Sequence, residues 1–149
     1  AGLALPQIEA LSLAHTLRMV ARRHEEGSDT LVRCDIGELP PAVRFSLKAC
    51  LYRFAQEGLN NALRHASGSG QTITAGFKGD CLEVSIVDAG PGIKTPCAAH
   101  GGQGLTGLRN RIESLGGKFC IGARPEGGTR LTARFQLSQM ASEMEALHA

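Results

Sequence analysis

The sequence predicts an α/β (α+β) fold: a two-layer sandwich whose mixed, mainly antiparallel sheet is covered on one face by three helices. Three observations carry this reading. The elements run α, β, α, β, β, loop, α, β, β along the chain. Two pairs of strands are each joined by a short Gly-containing turn, which makes each pair an antiparallel hairpin. In 129–137, Leu131, Ala133, Phe135 and Leu137 alternate with Arg130, Thr132, Arg134 and Gln136, one buried face against one wet face. The regular βαβ alternation of a doubly wound fold is missing.

Taken in order, 7–26 (QIEALSLAHTLRMVARRHEE) sets Ile8, Leu11, Leu17 and Ala21 at helical spacing, and 27–29 stop that helix. Residues 31–36 make a short strand and GELPP a turn. Pro40 and Pro41 are expected to open the longest helix, 41–66, because proline is tolerated in a first helical turn. SGSG at 67–70 ends it. Residues 71–77 and 81–87 form a hairpin around Lys78-Gly79-Asp80. The stretch 88–104 is too rich in Gly, Pro and Ala for regular structure. Residues 106–115 form a helix with Leu105, Leu108, Ile112 and Leu115 on one side, and 118–123 and 129–137 are strands around PEGG. One domain is expected over 1–137, followed by a C-terminal tail, 138–149, that reads as a frayed helix.

Composition narrows the function classes. With 149 residues, 42% of them hydrophobic and 20% charged, the chain is long enough to bury a core and too apolar for wholesale disorder. Lys plus Arg is 16 against 14 for Asp plus Glu, evenly spread, so no basic surface for nucleic acid is expected. No apolar run approaches the ~20 residues of a membrane span, and the start lacks the pattern of a signal peptide. The chain does not open on Met, so a fragment of something longer is expected. The five cysteines, Cys34, Cys50, Cys81, Cys97 and Cys120, show no CxxC pair and no zinc spacing. They read as free thiols in a reducing compartment, most simply the cytoplasm.

Three segments carry candidate chemistry. On the long helix Glu57, Asn61 and Arg64 fall within roughly 60° of one another, about 120–140° from the apolar face of Leu47, Leu51, Ala55, Gly58, Leu59, Ala62 and Ala66. An amide oxygen is a hard ligand suited to Mg²⁺. A carboxylate one turn earlier can orient or deprotonate an attacking hydroxyl or water, and an Arg one turn later can pair with phosphate. A plain solvated face fits the same stripe. In CLEVSIVDAGPGI, Asp88 continues the row of Leu82, Val84 and Ile86, so its carboxylate is costly to desolvate unless it meets a donor. An adenine amine is one such donor, with Gly90 and Gly92 allowing backbone to approach a flat ring. Capping of the following turn is the other. Gly102-Gln103-Gly104-Leu105-Thr106-Gly107 fits GxGxxG, but it does not follow a strand, so a dinucleotide fold is disfavoured. A Gly-rich loop running into a helix still offers free N–H groups to phosphate.

Together and in this order, YRFAQEGLNNALRHA (52–66), VDAGPGI (87–93), GGQGLTGLRNRIESLGG (101–117) and EGGTRLTARFQL (126–137) resemble the ATP-binding catalytic domain of bacterial sensor histidine kinases. They resemble more widely the superfamily shared with gyrase, the heat-shock ATPase chaperone, mismatch-repair ATPases and anti-sigma-factor serine kinases. The wording is most similar to the subfamily whose members sense nitrate or membrane fluidity. The resemblance runs over about residues 7 to 137 and implies a Bergerat ATP-binding fold. It also implies that Asn61 holds Mg²⁺ against the ATP phosphates, that Glu57 helps activate the phosphoacceptor, and that Arg64 faces phosphate. Asp88 would bond the adenine amine, with Gly90 and Gly92 shaping that pocket and Thr129 supporting it through water. Gly102, Gly104 and Gly107 would border the phosphates beneath a lid at about 93–103. Asn60 is an alternative ligand that the family pattern disfavours.

No dimerising hairpin with a phosphoacceptor His is recognisable among His15, His24, His65, His100 and His148. The implied partners are therefore a separate dimerisation/phosphoacceptor segment of the same kinase and a response regulator. No nucleic acid and no direct membrane contact are implied, and the isolated domain is expected to be a monomer. A non-catalytic nucleotide-binding module and a serine kinase of the anti-sigma-factor type are the alternatives.

Overall fold

The computed structural model describes residues 5–90, 103–136 and 138. A 3₁₀ turn, Leu5–Ile8, precedes α1 (Leu13–Ser28), β1 (Arg33–Ile36) and α2 (Phe45–Ala66). Then come β2 (Thr72–Lys78), β3 (Cys81–Val87), α3 (Gln103–Ser114), β4 (Lys118–Ala123) and β5 (Thr129–Gln136). The strands form one sheet in the order β1-β2-β3-β5-β4. β1 lies parallel to β2, because α2 provides the crossover a parallel pair needs; the other three pairings are antiparallel. The sandwich predicted from sequence is thus the observed architecture.

Side-chain alternation places Leu82, Val84 and Ile86 of β3 and Leu131, Ala133 and Phe135 of β5 in the core. They share one continuous cluster with Leu51, Phe54 and Leu59 of α2, Leu17 and Val20 of α1, and Leu108 and Ile112 of α3. Phe54 and Phe119 meet edge to face at 6.4 Å between centroids. The opposite sheet face is polar, with Ser85 bonded to Thr132 at 3.1 Å and Glu83 paired to Arg134.

Boundaries depart from expectation in every helix, and β1 begins at Arg33, two residues later than expected. The first helix starts at Leu13, not near residue 7. Ser12 is extended and caps it, its hydroxyl accepting the His15 N–H at 3.1 Å. The carbonyls of Glu9 and Leu11 are taken by the buried Lys48 ammonium at 2.8 and 2.7 Å, so they are spent outside any helical ladder. The helix also runs through Gly27 to Ser28, and Asp29 ends it in the left-handed conformation. The long helix starts at Phe45, not at Pro41; Leu39 and Val43 are drawn against the core from the segment before it, and Arg44 is extended. The third helix starts at Gln103, three residues before the expected Thr106.

Candidate functional site

α2 lies along β3, and two glycines set how closely. A Cβ at Gly58 would come within 2.7 Å of Ile86 Cγ1, and one at Gly90 would overlap Ala66. From 58 to 66 the helix rises by roughly 12 Å, and from 86 to 90 an extended chain covers a similar span. The two segments therefore run side by side, with Asn61 and Asp88 both between the fixed points.

Asp88 is 6% exposed and continues the inward row of β3. It stands opposite Thr129, just beyond the Val87–Arg130 pair. Two bonds join them: Asp88 N–H donates to Thr129 O at 3.0 Å, and Thr129 N–H donates to the Asp88 side-chain Oδ1 at 3.2 Å. Oδ1 also accepts the Gly90 N–H at 3.0 Å. The turn-capping role weighed from sequence is therefore real, and it occupies one oxygen. Among the described residues Oδ2 has no partner, and it is not sealed from solvent. The Thr129 side chain is buried, and no described group bonds its hydroxyl.

The stripe on α2 grades from inside to outside. Asn61 is 8% exposed, Glu57 is half-buried and Arg64 is exposed. No described residue bonds the Asn61 amide, and its polar atoms are not sealed off. A largely buried amide oxygen that no described residue bonds fits the hard-cation role, since Mg²⁺ takes few protein ligands and keeps water and phosphate oxygens. Asn60 is exposed and lines a groove of about 510 Å³ on the other flank of α2, with Val20, His24, Tyr52 and Leu63. That groove shares no residue with the stripe, and Asn60 is set apart from Asn61 by it.

The glycine-rich segment requires corrections. Gly92, Gly102 and most of the expected lid at 93–103 lie outside the described residues. Gly104, expected in the irregular stretch, belongs to α3, as does Gly107, which the expected helix already contained. The helix extends over them because Leu105, Leu108 and Ile112 repeat at helical spacing into the core, and a first turn needs no intrahelical acceptors for its N–H groups. Gly107 is exposed, and a Cβ there would meet nothing within 4 Å. The far end of α3 is fixed by Gly117, which is packed on Phe135, while Arg109 lies over the Phe119 ring at 5.0 Å. These contacts fix the later part of the helix against the Phe119–Phe135 end of the sheet.

Sequence reasoning missed two residues here. Arg124 donates from Nη1 to the Asp88 carbonyl at 2.9 Å. Gly128, at φ 95°, lies so close to the same carbonyl that no side chain fits. The PEGG turn was the only available signal for either.

A family profile for histidine kinase-, DNA gyrase B- and HSP90-like ATPases matches residues 48–139. The signal transduction histidine-protein kinase/phosphatase UhpB of Salmonella typhimurium is 35% identical over 127 residues, 85% of this chain and 25% of UhpB. The sensor protein VraS of Staphylococcus aureus is 33% identical over 89 residues, 60% of this chain and 26% of VraS. The chain spans about a quarter of the length of these relatives. Among solved structures, the blue-light activated histidine kinase EL346 of Erythrobacter litoralis superposes with a TM-score of 0.75 at 22% identity, covering 91% of this chain and 51% of that one. Full-length ShkA in complex with AMPPNP gives 0.68 at 20%, covering 83% and 30%.

Proposed function

The chain belongs to the family of histidine kinase-, DNA gyrase B- and HSP90-like ATPases, and on that footing we propose that it is the ATP-binding catalytic domain of a two-component sensor histidine kinase. It passes the terminal phosphoryl group of ATP to a His on a separate dimerisation/phosphoacceptor segment, and a response regulator takes the group onward. The observation that carries the reading is that two largely buried polar groups left uncommitted among the described contacts, Asp88 Oδ2 and the Asn61 amide, are carried by two segments packed closely on one another, α2 and the end of β3. The family match and the names of the histidine-kinase relatives support it.

Each residue has work that its own chemistry supports. Asp88, fixed through Oδ1, keeps Oδ2 to accept the exocyclic amine of adenine. Gly90 brings its backbone close to Ala66 and leaves a flat wall for the ring. Thr129 offers its hydroxyl to an ordered water at that edge. Asn61 holds Mg²⁺ through its amide oxygen, and Arg64 and the N–H groups that open α3 at Gly104 face phosphate. Mg²⁺ bound there would neutralise charge on the triphosphate. Glu57, one turn before Asn61, orients the acceptor imidazole and takes up its proton. Phosphoryl transfer demands positioning and charge neutralisation above all, and this residue set provides both.

We place residues 1–137 in the catalytic domain and 138–149 in a tail, and the chain in the nitrate/membrane-fluidity-sensor subfamily, on the wording of QEGLNNALRHA and GLRNRIESLGG. No helix among the described residues is long and apolar enough to cross a membrane. The described thiols, Cys34, Cys50, Cys81 and Cys120, are all free, which fits a cytoplasmic setting. The test supplies this chain with ATP labelled on its terminal phosphate, Mg²⁺ and a purified dimerisation segment. Label should pass to a His of that segment, and Asn61→Asp should abolish transfer. Binding without transfer would favour a non-catalytic module, and label on a Ser of an anti-sigma-factor antagonist would favour the serine-kinase alternative.

A further inference from the structure

We infer that Arg124 is a positioning residue for adenine recognition, holding Asp88 in the orientation that leaves Oδ2 free for the purine. The inference rests on the adenine role given to Asp88 above and adds a residue from outside the four motifs.

Arg124 stands at the end of β4, immediately before Pro125-Glu126-Gly127-Gly128. Its backbone closes that turn, N–H donating to Gly128 O at 3.0 Å and carbonyl accepting the Gly127 N–H at 3.0 Å. Its side chain reaches across to the loop after β3, where Nη1 donates to the Asp88 carbonyl at 2.9 Å. Nη2 pairs with Glu126 Oε1 at 2.7 Å. With Arg124 in place, Asp88 is held at three points. Its N–H is taken by Thr129 O, its carbonyl by Arg124, and Oδ1 by the N–H groups of Gly90 and Thr129. Oδ2 is the one polar atom left over among the described contacts.

Two further observations separate this from an ordinary surface contact. Arg124 Nε is buried with no hydrogen-bond partner. An arginine retained only for stability would be a poor choice at a place that strands one of its donors. The guanidinium is also bonded to the backbone carbonyl of the residue whose carboxylate must stay available to a neutral amine. Glu126 answers this by compensating the cation from the solvent side, its own side chain being 60% exposed. The arrangement fixes the carboxylate in advance, so binding need not spend free energy ordering it.

The test measures binding of this chain, with Mg²⁺, to ATP and to purine riboside triphosphate, which lacks the exocyclic amine. The parent should prefer ATP by about tenfold, the scale of a hydrogen bond to a charged group. Arg124→Ala should cut that preference to about threefold or less. Arg124→Lys, keeping the charge but not the fork, should recover part of it. A purely structural arginine would lower the unfolding temperature and leave the ratio intact, so thermal unfolding is followed in parallel. An unchanged ratio in Arg124→Ala, with the ratio collapsed in Asp88→Asn, overturns the role of Arg124 alone. If the parent itself fails to distinguish the two nucleotides, the adenine role of Asp88 falls first and this inference goes with it.

Discussion

At the scale of single residues, the glycines divide into those that geometry demands and those it merely allows. Gly128 is demanded: its φ is 95° and a Cβ would collide with the Asp88 carbonyl. Gly128→Ala should destabilise the chain by about 2–4 kcal/mol, the combined cost of a left-handed alanine and a displaced strand end. Urea unfolding would measure it, and a loss below the cost of an ordinary surface substitution would contradict the collision. Gly107 is merely allowed by the fold. It is exposed on α3 with open space around its missing Cβ, so Gly107→Ala should stabilise the helix by about 0.5–1 kcal/mol. If Gly107 also borders phosphate, the same variant should bind ATP less well while unfolding later, a split that unfolding and binding measurements on one sample resolve. Unchanged affinity would remove Gly107 from the site. The burial of Asp88 was legible in advance because it continues the period of two along β3; that of Asn61 was not, because the helical period sets it off the apolar face. Arg124 was not, because its functional contact is to a backbone carbonyl 36 residues away, and a carbonyl leaves no mark on the sequence.

At the scale of elements, existence and type follow from periodicity, while ends depend on contacts that periodicity does not encode. The start of α1 is the clearest case. Ile8 and Leu11 sit at helical spacing with Leu17 and Ala21, yet the chain between them breaks at Ser12. Ser12 accepts the His15 N–H, and Lys48, 37 residues beyond Leu11, takes the carbonyls that would have continued the ladder. Ser12→Ala should cost about 1 kcal/mol, a typical N-cap value, read as a lower urea midpoint at unchanged slope. An effect near zero would mean that Lys48 and the buried Ile8 set the boundary unaided. At α2 the dipeptide Pro40-Pro41 was a sound first-turn signal, but the pull of Leu39 and Val43 toward the core outweighed it. In α3 the boundary moves the other way, since Gly104, which looks like loop, is carried into the helix by the leucines that follow it.

At the scale of the molecule, the hairpins could be read locally but the sheet order could not. Pairing β3 with β5 joins segments separated by the whole of α3 and β4, and only the shared apolar face brings them together. That face also decides how the cysteines behave. Cys50, on α2, is buried in the core, and burial pushes its thiol up to about 11 from the ordinary 9.0, with Arg111 pulling the other way. Burial raises the Cys34 thiol as well, while Cys120 is exposed. Below about pH 9 the Cys50 thiol is protonated in both folded and unfolded chains, and its contribution to stability is complete. As pH climbs from about 9 to 11 the unfolded chain releases this proton and the folded chain keeps it, so stability declines across that window. The stability difference between the parent and Cys50→Ala, measured by urea unfolding, should therefore shrink as pH is raised through it. A difference that stays constant would mean the thiol titrates alike in both states. Iodoacetamide gives the kinetic counterpart, since only a thiolate reacts. Cys120 should label in the native protein, whereas Cys50 should label at the rate of global unfolding, rising with urea in step with loss of helix signal. Native-state labelling of Cys50 at the Cys120 rate would show that the helices lift from the sheet without the whole domain opening.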